Sequence, residues 1–133
     1  MRSLVFPYIR LGTRFAPIIP VTLFGRNVAL KTEAYVDSGA FYSIFRIEIL
    51  QTLQLREDEG ELKMLKAADG NFIPAHLFRL PVQIADVKIR AWVAFSDQLN
   101  IGFNILGRQT IFSASNEVAF NERDRRVIFR LRK

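Results

Sequence analysis

With 133 residues, a formal net charge of +6, half of its residues hydrophobic and 24% charged, the chain has the balance of one folded domain and not of a disordered tract. The absence of cysteine excludes disulfides, zinc–thiolate sites and thiol nucleophiles, and the single histidine, His76, excludes a multi-histidine metal site. No run approaches the ~18 apolar residues of a membrane span, and Arg10 and Arg14 interrupt any signal-peptide core, so the chain reads as cytoplasmic.

In chain order, Pro20–Phe24 and Val28–Val36 read as strands joined by a turn at Gly25–Asn27. The second strand ends at Asp37-Ser38-Gly39-Ala40, where glycine permits a sharp turn. Ile44, Ile47, Leu50 and Leu53 recur at helical spacing behind Ser43, which predicts a short helix with Ser43 as its N-cap. After a polar loop at Arg56–Glu61, Leu62–Ala68 and Asn71–Leu80 form a hairpin around Asp69-Gly70. Pro74 in the second arm lacks an N–H and marks that arm as an edge or as exposed. Further strands are expected at Pro81–Ile84 and Val87–Phe95, turning at Ala85-Asp86, and a brief helix at Gly107–Phe112. The last pair is Glu117–Asn121 and Val127–Leu131. Many short strands with one or two short helices indicate an all-β class, a mainly β barrel or sandwich in one domain.

Several chemistries lack the residues they need. A Ser-His-Asp triad would have to use His76, which follows Pro74 in a hairpin arm, and Gly102 and Gly107 do not match a phosphate-binding loop. Carboxylates remain for acid–base work. Asp37 stands apart, because it follows the uncharged run Ala34-Tyr35-Val36 at a strand end, and aspartate is disfavoured among buried strand residues. On this tetrapeptide alone, a loop aspartate that caps its own turn is the favoured reading, because Asp-Ser-Gly is frequent by chance. The basic end, Arg123, Arg125, Arg126, Arg130, Arg132 and Lys133, reads as a solvated strand edge, or as a surface for nucleic acid or an acidic partner.

A second segment, Asn104-Ile105-Leu106-Gly107-Arg108, lies about 70 residues after the first. Together, Tyr35-Val36-Asp37-Ser38-Gly39-Ala40 and Ile105-Leu106-Gly107-Arg108, with a hairpin between them, resemble the retropepsins, the retroviral-type single-domain aspartic peptidases. The resemblance covers residues 20–131 and implies a closed β-barrel acid-protease fold with one lobe per chain. It implies Asp37 as the catalytic carboxylate, supported by Ser38, Gly39 and Ala40, with Ile105, Leu106, Gly107 and Arg108 beneath the loop. It makes the 62–80 hairpin a flap over a peptide substrate, with Leu65, Phe72 and Ile73 toward the substrate and Ala68, Asp69 and Gly70 at the tip. Only one such Asp motif is present, so the reading requires a C2 homodimer with Asp37 from each copy, and no cofactor and no metal.

The pattern departs from the family in places. Where retroviral members carry an acidic residue to pair with the late arginine, this chain has Phe41, so Arg108 is expected to pair with Glu48 or with a carboxylate across the interface. Gln109 follows that arginine in place of the usual Asp or Asn. Residues 1–19 have no counterpart and are set apart as an interface strand or regulatory extension, leaving 20–133 as the peptidase domain. Two other readings compete: a non-catalytic dimeric module binding a peptide or acidic partner on the same fold, and a small nucleic-acid-binding β-barrel. The second would use the arginine-rich end with Phe120 and Phe129 interleaved, although both also suit strand alternation toward a core.

Overall fold

The β4–β5 hairpin, Ile18–Phe24 and Ala29–Val36, shows how the sequence builds this molecule. Ile19, Val21 and Leu23 are buried while Pro20, Thr22 and Phe24 turn outward, the period-two pattern of a sheet with one face on a core. Its turn closes where the Gly25 N–H donates to the Val28 carbonyl at 2.8 Å. Gly25 is required there, since a Cβ would stand 2.3 Å from the Leu53 carbonyl oxygen. A computed structural model supplies the geometry and describes residues 2–67, 69–99 and 102–132.

Ten further strands complete the molecule. They are β1 (Arg2–Pro7), β2 (Ile9–Leu11), β3 (Arg14–Ala16), β6 (Ser43–Arg46), β7 (Glu61–Lys66), β8 (Phe72–Ile84), β9 (Val87–Ser96), β10 (Asn104–Leu106), β11 (Ser115–Asn121) and β12 (Arg126–Leu131). One short helix, α1 (Glu48–Thr52), a single 3-10 turn at Glu57–Glu59 and a kinked helical turn at Arg108–Phe112 interrupt them. Seven strands form one sheet in the order β4-β5-β10-β6-β9-β8-β7, and β4 also pairs with β8 through Thr22↔Gln83 and Leu23↔Val82. The sheet therefore rolls up on itself across a two-pair seam, short of the fully closed barrel expected. Inside the roll lie Phe45, Phe78 and Phe95, with Leu23, Val82 and Leu106. A second sheet, β1-β12-β11, packs onto the same core through Phe129, which meets both Phe6 and Phe112 edge-on. No helix among the described residues is long and apolar enough to cross a membrane.

Two expectations are corrected. Ser43 caps no helix: residues 43–46 form β6, with Ser43 and Phe45 fully buried, and pair in parallel with β9. Tertiary pairing overrides the helical spacing here, and only the later part of the apolar run is helical, with Ile47 at the N-cap of α1. Residues 72–84 are one strand, not two. Pro81 sits opposite Arg90 of β9, and among the described residues no strand pairs with it on the other side, so its missing N–H breaks no ladder there. Pro74 likewise pairs with β7 alone, because the β9 register begins at His76. The first 19 residues hold β1, which pairs along its length with β12, then the β2–β3 hairpin and the start of β4.

Candidate active site

The buried residues Ala34 and Val36 anchor β5 in the roll, and the strand gives out at Asp37. β10 runs parallel beside β5 in the register Asn104↔Ala34, Ile105↔Tyr35, Leu106↔Val36. The ladder extends one step further, with the Asp37 N–H donating to the Leu106 carbonyl at 3.0 Å, so the backbone at Asp37 is set by the strand beneath it. The loop then folds over the carboxylate. The Gly39 N–H donates to Asp37 Oδ1 at 2.8 Å, and the Ala40 N–H to the Asp37 carbonyl at 3.3 Å. A Cβ on Gly39 would stand 3.2 Å from Asp37 Oδ1, so glycine keeps the carboxylate uncrowded. Oδ2 has no hydrogen-bond partner among the described residues, and the side chain is half-exposed.

The segment after β10 holds the loop from below. Gly107 passes so close that a Cβ would meet the Tyr42 carbonyl oxygen at 2.3 Å. The Arg108 and Gln109 N–H groups donate to the Ala40 and Phe41 carbonyls, each at 2.9 Å. Two hydroxyls complete the clamp. Ser43 Oγ accepts the Gly107 N–H at 2.9 Å and donates to Thr110 Oγ1 at 3.2 Å, while Thr110 donates to the Gly107 carbonyl at 2.8 Å. Both side chains are fully buried, where an unpaired hydroxyl would be costly. Sequence reasoning missed them. The signal available was the alternation Ser43-Ile44-Phe45-Arg46, which fits a strand with the serine pointing inward.

Asp37, Ser38, Gly39 and Ala40 are thus brought onto Ile105, Leu106, Gly107 and Arg108. Arg108 does not meet Glu48, nor does it form an ion pair with any other carboxylate among the described residues; its side chain is exposed. The 61–84 hairpin packs against Tyr42, which follows the loop. Leu65 pairs with Ile73 across β7–β8, and both join Ala75, Leu77, Ala94 and Tyr42 in a small separate apolar cluster. Phe72 opposes Lys66 on the other face and is 59% exposed, near the exposed Leu62 and Met64. Asp69 and Gly70 are exposed at the tip, and Ala68 lies outside the described residues. Lys63 ties the hairpin down, its Nζ donating to Tyr42 Oη at 3.0 Å. That bond raises the Lys63 pKa above the usual lysine range.

Two open clefts flank the loop. One of about 270 Å³ exposes Asp37, Tyr35, Phe15, Phe120 and Glu122. The other, about 750 Å³, runs past Ser38 between Phe41, Arg108, Phe112 and Val118.

The backbone as a whole is similar to that of a retropepsin-like aspartic protease from Rickettsia conorii. The TM-score is 0.71 at 17% identity, over 97% of this chain and 99% of that one. The fold is retropepsin-like. No protein-family model matches the sequence, and no curated protein matches it either. The likeness is one of backbone course, and in the retropepsin-like fold of this chain the Asp37 loop ends β5 over the Gly107 segment.

Proposed function

We propose that the chain is an aspartic endopeptidase, hydrolysing peptide bonds with a water activated by two Asp37 carboxylates, one from each subunit of a homodimer. The observation that carries this reading is the Asp37 loop itself. A half-exposed carboxylate, its Oδ1 held by the Gly39 N–H, sits on a backbone fixed by Leu106 and Ala40, with Oδ2 uncommitted among the described residues. In the reaction one carboxylate takes a proton from the water while the other, protonated, donates to the substrate carbonyl. Two carboxyls in contact do not both ionise, so the pair shares one proton and titrates as a unit. The β7–β8 hairpin is the flap in this reading, closing over substrate bound near Asp37, and the protein works in the cytoplasm.

One observation favours a second reading, a peptide-binding module without catalysis: Asp37 Oδ1 accepts the Gly39 N–H, as a purely turn-capping aspartate does. Asp37→Asn separates the two. Asparagine keeps the Oδ1 acceptor and the side-chain size, so the fold survives under either reading. A catalytic Asp37 predicts that cleavage of a diverse peptide library falls at least about a hundredfold, the scale of a lost general acid–base group. Undiminished cleavage by folded Asp37→Asn protein would exclude the peptidase assignment.

A further inference from the structure

The cleft of about 270 Å³ that opens on Asp37 is built by parts of the chain far apart in sequence. Phe15 comes from the β2–β3 hairpin, Tyr35 from β5, Phe120 from β11, and Glu122 from the β11–β12 turn. Its walls are held in place. The Tyr35 ring stacks on Phe103 with centroids 5.0 Å apart and planes at 16°. Glu122 Oε2 accepts a hydrogen bond from the hydroxyl of Tyr8, a residue only 8% exposed. Burial first, and then the Glu122 carboxylate, raise the Tyr8 pKa far above the ordinary tyrosine range, so the donor stays protonated. The Tyr8 N–H also donates to the Arg125 carbonyl at 2.7 Å, which ties the turn carrying Glu122 to the chain at Tyr8.

The charge of this cleft is one-sided. Among the described residues, Asp37 and Glu122 are the charged ones in its wall, and none of the lining side chains is a cation. Glu122 forms no ion pair among the described residues. The Arg125 guanidinium lies over the Phe15 ring at 3.8 Å and is not part of the wall.

We infer that this cleft receives the side chain of an arginine or lysine flanking the scissile bond, with Glu122 as the residue that selects it. The inference rests on the peptidase reading and names its substrate class. A long basic side chain lays its stem along the aromatic rings and brings its cation to Glu122, gaining cation–π contact and a charge-assisted hydrogen bond. An apolar side chain of the same length would desolvate Glu122 without supplying a partner, and an acidic one would be repelled by both carboxylates.

The test measures binding apart from cleavage. Uncleavable peptides with a hydroxyl in place of the scissile carbonyl are made in matched sets, with arginine, norleucine or glutamate on either flank. Wild-type protein is expected to bind one of the arginine analogues about tenfold or more tighter than its norleucine match, the scale of a charge-assisted hydrogen bond. In Glu122→Gln, whose amide oxygen still accepts from Tyr8, that ratio falls toward one; in Glu122→Lys the glutamate analogue takes the preference. Equal wild-type affinity for arginine and norleucine on both flanks, no binding of any analogue, or a ratio unchanged in Glu122→Gln overturns the inference. Cleavage of the corresponding peptides is scored separately. Discrimination without Asp37-dependent cleavage upholds the cleft and sinks the peptidase reading, and Asp37-dependent cleavage without discrimination does the reverse.

Discussion

Ser43 and Thr110 are neutral residues remote from each other in sequence, yet the support of the Asp37 loop passes through them. Between them their hydroxyls satisfy the Gly107 N–H and the Gly107 carbonyl. Ser43→Ala leaves the Gly107 N–H without its partner in a fully buried place; Thr110→Val leaves the Gly107 carbonyl only the longer bond, 3.4 Å, from the residue 110 N–H and takes away the acceptor of the Ser43 hydroxyl. Each is expected to cost about 1–3 kcal/mol, the price of an unsatisfied buried polar group. Because the two side chains touch at 3.2 Å, the double variant should cost less than the sum of the singles. Urea midpoints of the four proteins check this. Strict additivity would mean the hydroxyls act independently, as they would if Ser43 capped a helix. Gly107 belongs to the same scale, because the Tyr42 carbonyl leaves no room for even a methyl group.

At the scale of elements, the β7–β8 hairpin combines two faces of different character. Leu65, 7% exposed, and Ile73 pack down on Tyr42 and Ala94, while Leu62, Met64 and Phe72 stand in solvent. The hairpin reaches past the body of the roll, so β7 is an edge strand that pairs with β8 alone. Leu65→Ala is expected to lose about 2–5 kcal/mol of local stability, as for other buried leucines. Hydrogen exchange should register it as faster opening across 61–77, with β9 between 87 and 93 little changed. Phe72→Ala should shift stability by no more than about 0.5 kcal/mol. Equal acceleration in both segments of Leu65→Ala would show that the hairpin opens only with the whole molecule.

For the whole molecule, the decisive count is one Asp-Ser-Gly loop per chain. If peptide hydrolysis needs two carboxylates about one water, activity belongs to a pair of chains. Specific activity should therefore fall as protein is diluted through the dissociation constant of the pair, and recover on concentration. Activity per chain that stays constant while sedimentation reports a monomer would remove the dimeric site. The cleft running past Ser38 between Phe41 and Phe112 adjoins the loop that such a pairing must bring together.

Much of this architecture is local chemistry that a sequence carries openly. The β4–β5 hairpin, the turn at Asp69-Gly70, the β8–β9 turn at Ala85-Asp86 and the β11–β12 pair all depend on alternation over a few residues and on turn-forming side chains. The Asp37 loop and the Ile105–Arg108 segment were legible as motifs for the same reason. Tertiary structure decided the rest, because the deciding contacts are distant in sequence. β6 became a strand because parallel pairing with β9, more than 40 residues away, outweighed its helical spacing. β10, three residues long, exists as a strand only because β5 and β6 lie on either side of it. Arg108 forms no ion pair with Glu48 and stands exposed in the single chain, since a residue's identity sets what it can bind and only the folded backbone sets what comes within reach. Glu122 shows the same from the other side: an unremarkable turn residue in the sequence, it reaches the Asp37 cleft because β11 and β12 carry their turn to Tyr8.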